Sequence, residues 1–461
     1  MVRRLIAAAG IALPVLLLAF GKPEGLSPEG HKALALALFA IPFFVAEILP
    51  VSLTGLILLL LFVLFRVVPP RLAFSGFTAP AFWLVFSAFL LGGGMLRTGL
   101  ARRTAFALIR ALGDRFDRVL MGLCIVGFLL TFGVPSANAR VALLIPIALE
   151  IGAAFGLKPM SRGSAALVLA TAMSCFSPGF ALITANVPNL VLVAVAESAA
   201  GISLSYGQWA YLHLPVLGIV RMILIFVTVR IFLWPKEIPV PQGDLLSESP
   251  VGPLSTEEWK MAGLFCIAVG LWATDFLHGL RPAWVGLGVA MVAMLPRVGV
   301  LKEKDMAQYI NLPLLIYLGS IFGLGTTLAA TGVGKWAGDY IFRWIPLAEM
   351  GDASQVAVLA GITTLLAILT TTPALPAVLT PIVIAYGLDQ GLNVNLLLMA
   401  EVLGLSIAFF PYQTPPLVTA QGFRAFSGQQ ALRVLIPFAL LSLAVTIPLT
   451  LLYWKAIGFL H

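Results

Sequence analysis

Stretches of about 20 apolar residues, enough to cross a bilayer as a helix, recur from one end of this chain to the other. With 60% apolar and only 10% charged residues in 461, neither a water-soluble globule nor a disordered chain is compatible with the composition. Cys124, Cys175 and Cys266 are scattered through apolar segments with no CxxC spacing, so a disulfide scaffold and cysteine metal chemistry are excluded. The chain reads as an all-α polytopic membrane protein. Its net charge of +8 would suggest nucleic acid in a soluble protein. Here it reads as the cytoplasmic excess of Lys/Arg that membrane proteins carry, and no nucleic-acid partner is expected.

Continuous spans are expected at 4–20, 31–48, 51–68, 81–99, 208–233, 258–277, 283–297, 311–332 and 431–454. The Met1-Val2-Arg3-Arg4 start and the apolar run to Phe20 imitate a secretory signal but are read as a retained first helix. Two longer stretches, 119–155 and 353–388, are broken in their middles by Pro135-Ser136-Ala137-Asn138 and Thr370-Thr371-Thr372-Pro373. Each is expected to enter the membrane, turn and leave by the same side, as a re-entrant hairpin. Two further spans, 164–196 and 395–420, are interrupted by Ser177-Pro178-Gly179 with Asn186-Val187-Pro188-Asn189, and by Pro411-Tyr412-Gln413-Thr414-Pro415-Pro416. These are expected to be broken helices. Backbone freed at such breaks must be buried in protein or line a wet cavity.

The order hairpin, broken helix, hairpin, broken helix is an internal repeat. Pro146 and Pro381 correspond at an offset of 235, and Thr98-Gly99 and Thr331-Gly332 at an offset of 233. The chain is therefore divided into a first helix and external loop (1–30), an N-terminal repeat (31–235), a cytoplasmic linker (236–257) and a C-terminal repeat (258–461). With about 11 crossings the majority of Lys/Arg fall on one side, which sets the N-terminus inside and the C-terminus outside a cytoplasmic (inner) membrane. Five crossings and a hairpin per repeat make the two repeats inverted. Arg140 and Arg221 are left within the membrane.

Inverted repeats with discontinuous helices are the architecture of secondary transporters. Half-helix N-termini meet an anion, and unwound carbonyls hold a cation. Beyond this architecture, the chain resembles the divalent anion:sodium symporters. The resemblance includes Ala46-Glu47-Ile48-Leu49-Pro50-Val51, Ala73-Phe74-Ser75-Gly76-Phe77 with Leu91-Gly92-Gly93, and Thr98-Gly99-Leu100-Ala101. The family's Ser-Asn-Thr triplet, ten residues before a proline at each hairpin tip, reads here Ser136-Ala137-Asn138 before Pro146 and Thr371-Thr372-Pro373 before Pro381. Its G-T-x-P-N turn reads Ala185-Asn186-Val187-Pro188-Asn189 and Gln413-Thr414-Pro415-Pro416-Leu417. The proline framework is kept and the polar letters are eroded, since both triplet asparagines are lost, to Ala137 and Thr372.

The resemblance implies a secondary active transporter of a small divalent anion, a di- or tricarboxylate or sulfate. It implies sodium as the coupling ion, elevator-type alternating access and a homodimer. Substrate-binding residues carried over are Ser136, Ala137, Asn138, Thr371, Thr372, Thr414 and Pro415, and Arg140 joins them as a candidate on its position and chemistry. Sodium-binding residues are Ser136, Asn138, Asn186, Asn189, Thr371 and Thr414. Arg140, one turn past the first tip, is an anion ligand, half of an ion pair with a buried acid such as Glu150, or a side chain that snorkels toward the inner face. Glu401 is either a proton-coupling carboxyl or an acid that pairs with a base or faces water at the helix end, and Glu47 caps or braces the turn at Pro50.

The alternatives are a proton-coupled symporter or exchanger of the same fold, and a passive anion channel. No cofactor is expected. The four histidines lack metal-ligand spacing and no phosphate-cradling glycine loop opens a helix, so an enzyme or ATP-driven pump is not supported. Trp234, Trp344 and Trp454, at span ends, are expected to be interfacial anchors.

Overall fold

A computed structural model describes residues 2–19, 21–46, 48–235, 237 and 252–460. Glu47, His461 and most of the 236–257 linker lie outside the described residues. The described chain is helical, with no strand, and seven of its helices are long and apolar enough to cross a membrane. Shorter apolar helices include both arms of the second hairpin. The protein is an all-helical, multi-pass membrane protein.

Both hairpins form where the prolines interrupt the apolar runs. The first pairs Phe116–Gly133 with Ala137–Ala154. Between them Val134 is extended, Pro135 has no N–H to continue a helix, and the Ser136 hydroxyl caps the second arm by accepting from Ala139 N at 3.3 Å. The second pairs Asp352–Ile368 with Leu375–Asp389. Its turn is closed by a bond from Ala374 N to the Thr371 carbonyl at 3.0 Å. Pro146 and Pro381 both lie inside the second arm of their hairpin.

The broken helices also follow the expected order. In the first, Arg162–Phe176 gives way to the 3-10 turns Ser177–Ala181 and Ile183–Ala185 and then resumes as Val187–Ala200. In the second, Val394–Leu405 is followed by the turn Pro411–Gln413 and the helix Pro415–Gly422. The second break begins at Ser406, five residues before the first proline. In each repeat the first hairpin arm packs on the first half of its broken helix, at a glycine. A side chain at Gly127 would meet Ser174 Cβ at 2.9 Å, and one at Gly404 would strike the Ala360 carbonyl.

Two spans carry a feature that the apolar pattern does not encode. Tyr206–His213 passes through a π-helical turn, Leu214–Val220, into Arg221–Phe232. Gly428–Leu441 does the same through Ser442–Thr446 into Ile447–Ala456. The turns begin 228 residues apart, and each lies in the span that follows the broken helix of its repeat.

The chain groups into two compact units that do not coincide with the repeats. The first comprises Met1–Val85, Pro188–Leu204 and Asn311–Leu405, and the second comprises Phe86–Val187, Ser205–Ile310 and Ser406–His461. Each unit thus contains one hairpin and one half of each broken helix. In the first unit, small residues let Val51–Leu64 lie close to Leu312–Ala330, where Gly55 faces Ser320. In the second, ion pairs of Arg103 with Glu258 at 2.6 Å and of Arg97 with Asp305 at 3.2 Å tie span ends together. One expected anchor is not interfacial. Trp454 is fully buried in the second unit, donating to the Leu212 carbonyl at 3.0 Å and packed edge-on against His213, because the end of its helix lies against the end of Tyr206–His213. Trp344 is exposed.

Candidate functional site

The second unit gathers three backbone interruptions that sequence reasoning singled out: the tip of the first hairpin, the break after Phe176 and the break after Leu405. Arg140 joins the first two. Its side chain has no exposed surface. Nε and Nη2 both donate to the Cys175 carbonyl, at 2.9 and 2.6 Å, and Nη1 donates to the Val134 carbonyl. Nη2 also reaches the Ala185 carbonyl at 3.1 Å and Asn186 Oδ1 at 3.2 Å. All four oxygens are neutral. Three are backbone carbonyls where the hairpin turns and where the helix breaks, and the fourth is the side-chain amide oxygen of Asn186. None of the expected roles of Arg140 describes this arrangement: Glu150 is not among its partners, the fully buried side chain does not run out to a surface, and all three of its nitrogens are engaged by the protein.

Asn186 completes the break by donating from Nδ2 to the Phe176 carbonyl at 2.9 Å. It can do so because Gly179 carries no side chain; a Cβ there would lie 2.9 Å from the Asn186 amide. The last carbonyls of Arg162–Phe176 are therefore satisfied by two side chains, Arg140 and Asn186, in place of continuing helix.

Across the tip, the exposed Asn138 accepts from Thr419 Oγ1 at 3.4 Å, which sets the hairpin against Pro415–Gly422. At the second break Gln413 Oε1 accepts from Phe409 N and Phe410 N, both at 2.8 Å. Thr414 stands at the cap position of Pro415–Gly422, yet its buried hydroxyl makes no capping bond and has no partner. The reason is local: Pro416 has no N–H to offer it, and Leu417 N donates to the Thr414 carbonyl at 3.0 Å instead. Ala137 opens the second arm of the hairpin and presents a half-helix N-terminus beside Ser136.

Arg221, which sequence reasoning only noted as lying in the membrane, bridges the two breaks. Its Nη1 donates to the Ser406 carbonyl at 2.6 Å and lies 3.4 Å from Ser177 Oγ. It too is fully buried. Ser177, Ser406 and Thr419 were also not anticipated. An arginine in the middle of the apolar run 208–233 was the available signal.

Thr371, Thr372, Asn189 and Glu401 lie in the first unit. Thr372 and Asn189 are fully buried and Thr371 is half-buried at the second tip. Glu401 is fully buried, with Oε1 accepting from Thr380 Oγ1 at 2.8 Å across the hairpin arm and Oε2 unpartnered.

Known proteins similar to this chain agree with the architecture. A family model described as the sodium:sulfate symporter transmembrane region matches residues 2–460. A Cupriavidus necator protein named only as a membrane protein is 28% identical over 474 residues, covering 98% of this chain and 92% of its own length. The L-tartrate/succinate antiporter of Escherichia coli (strain UTI89 / UPEC) is 27% identical over 363 residues, covering 75% of this chain and 72% of its own. Among solved structures, the Alcanivorax borkumensis YdaH transporter, described as having an unusual topology, superposes with a TM-score of 0.58 at 16% identity. That match covers 84% of this chain and 88% of the other, and it is a likeness of fold.

Proposed function

The chain belongs to the sodium:sulfate symporter family, the divalent anion:sodium symporters, and on that premise we propose that it is a secondary transporter of dicarboxylates that works by exchange. Membership supports a transporter of dicarboxylate- or sulfate-type anions. The choice of exchange rests on the surroundings of Arg140.

Carbonyls and an amide oxygen exposed by a hairpin turn and a helix break are the donors from which a transporter builds a sodium site. Here the Val134, Cys175 and Ala185 carbonyls and Asn186 Oδ1 already accept from a guanidinium. This oxygen set does not fit a sodium ion as well. A positive charge covalently fixed at that place neutralises the helix end as an ion would, but it does not cross the membrane with the substrate. Anion movement is then not tied to an ion gradient through this cage. The similarity to an antiporter points the same way. The free Thr414 hydroxyl and the N-terminal ends of Ala137–Ala154 and Pro415–Gly422 are the groups we assign to the anion. Alternating access and a homodimer carry over from the family as part of the same reading. Because each compact unit holds one hairpin, the moving part is not equated with either unit.

The test is uptake of labelled succinate into proteoliposomes. Exchange requires unlabelled succinate inside and proceeds equally in sodium and in choline medium. Accumulation in empty vesicles driven by a sodium gradient would instead establish sodium-coupled symport. Accumulation that collapses with a protonophore would establish proton coupling.

A further inference from the structure

The two buried arginines of the second unit are satisfied to different degrees. Arg140 engages every nitrogen. Arg221 engages only Nη1, while Nε and Nη2 are buried without a hydrogen-bond partner. These two nitrogens form one edge of the guanidinium. Their N–H bonds point the same way and make the fork that a carboxylate accepts with two parallel hydrogen bonds. Nη1, held by the Ser406 carbonyl, fixes the plane of that fork.

A guanidinium in this condition is costly. Burial of an unpaired cation is unfavourable, and two unmet donors add to it. A role in bracing the fold would explain Nη1 but not the bare edge. The repeat adds a second observation. Arg221 directly follows the π-helical turn Leu214–Val220, and the matched turn Ser442–Thr446 is followed by Ile447. The turn therefore does not itself need a cation at that place. Turns of this kind recur at functional sites, and this one packs against Ser177–Ala181 of the first break.

We infer that Arg221 is an anion ligand of the transport site, taking one carboxylate of a dicarboxylate on its Nε–Nη2 edge. The assignment rests on the transporter reading above. With no solvent exposure, the edge serves an anion enclosed by the protein, as the occluded state of an alternating-access cycle requires.

Thermal melts of the purified protein, titrated with succinate, tartrate, sulfate or the monocarboxylate butyrate, test the inference on wild type, Arg221→Gln and Arg221→Lys. Without anion, Arg221→Gln melts at or above wild type, because an uncompensated buried charge is gone. Its apparent dissociation constant for succinate rises at least tenfold while that for butyrate moves little, so the preference for the dianion collapses. Arg221→Lys keeps the charge, loses the fork and falls between them. A lowered melting point with an unchanged succinate constant would make Arg221 a brace and overturn the assignment, as would failure of both variants to fold. If no dianion stabilises the wild type, the anion-transport reading falls, and this one with it. If wild type and Arg221→Gln bind succinate alike, only the Arg221 assignment falls.

Discussion

Arg140 donates to the Cys175 carbonyl from two nitrogens, Nε at 2.9 Å and Nη2 at 2.6 Å. Cys175 is in the last turn of a helix that passes into the 3-10 turn Ser177–Ala181, where Pro178, three residues on, has no N–H to give its carbonyl. A cation at a helix C-terminus also meets the negative end of the dipole. Removing the side chain as Arg140→Ala strands that carbonyl together with those of Val134 and Ala185. Each stranded acceptor costs on the order of 1–3 kcal/mol, so the melting temperature should fall sharply. If the guanidinium stands where a cation would, sodium chloride should restore part of the loss and choline chloride should not. Equal rescue by both salts would remove the argument for exchange drawn from this cage.

The unpartnered Thr414 hydroxyl makes the opposite prediction for stability. Thr414→Val keeps the shape and deletes a buried hydroxyl with no intramolecular partner, so the melting temperature should hold or rise slightly. Succinate affinity should fall by about 1–3 kcal/mol, roughly five- to 150-fold, if that hydroxyl donates to a charged substrate oxygen. Thr414→Ser should retain affinity. Unaltered binding in the valine variant would remove Thr414 from the site.

Architecture was legible in the sequence because proline acts locally. Pro135, Pro178 and Pro373 each remove an N–H, and a helix ends within five residues before each of them, while Pro415 opens a new helix at its first position. The partners at those stops were not legible. In the sequence the charge of Arg140 points to a charged partner, an anion or an acid such as Glu150, or to an end at the membrane face. Its partners are neutral carbonyls, and nothing in side-chain letters marks where a backbone carbonyl will be orphaned. Arg221 passed as a bare residue in an apolar run because its tether, the Ser406 carbonyl, lies in a distant segment. The π turns were missed for a related reason: one extra residue per turn leaves an all-apolar pattern unchanged.

The Thr-Gly repeat gives a prediction that depends on backbone alone. Gly99 and Gly332 have φ of 80° and 75°, and nothing lies within 4 Å of a Cβ placed on either. Each ends a span whose preceding threonine bonds back into the helix, Thr98 to the Gly94 carbonyl at 2.8 Å and Thr331 to the Thr327 carbonyl at 2.7 Å. Gly99→Ala and Gly332→Ala should each cost about 1–2 kcal/mol, the left-handed penalty for an L-residue, with no loss of packing. Asparagine at either position should cost less. In the double variant the two losses should add, since the glycines sit in separate compact units. A loss much larger than this in either single variant would mean that the glycine serves a purpose other than its φ.

Glu401 decides between exchange and proton coupling. Its carboxyl is fully buried, Oε1 takes one hydrogen bond from Thr380 at 2.8 Å, and Oε2 takes none. No cation pairs with it among the described residues, so it is not half of a structural ion pair. Glu401→Gln preserves the size of the side chain and the oxygen that Thr380 reaches, and removes only the capacity to pick up and release a proton. Under exchange, this variant should fold, melt at or above the wild-type temperature and exchange succinate within about twofold of wild type. Thr380→Val should do worse, because it strips a buried carboxyl of its one donor, at a cost on the order of 1–3 kcal/mol. Coupled to Glu401→Gln, that cost should shrink, since an amide without a donor is a lighter burden than a carboxyl. The decisive measurement is succinate accumulation under an imposed proton gradient, in wild type and in Glu401→Gln. Accumulation in the wild type that vanishes in the variant, with the protein still folded, would make Glu401 the coupling group and replace exchange with proton symport.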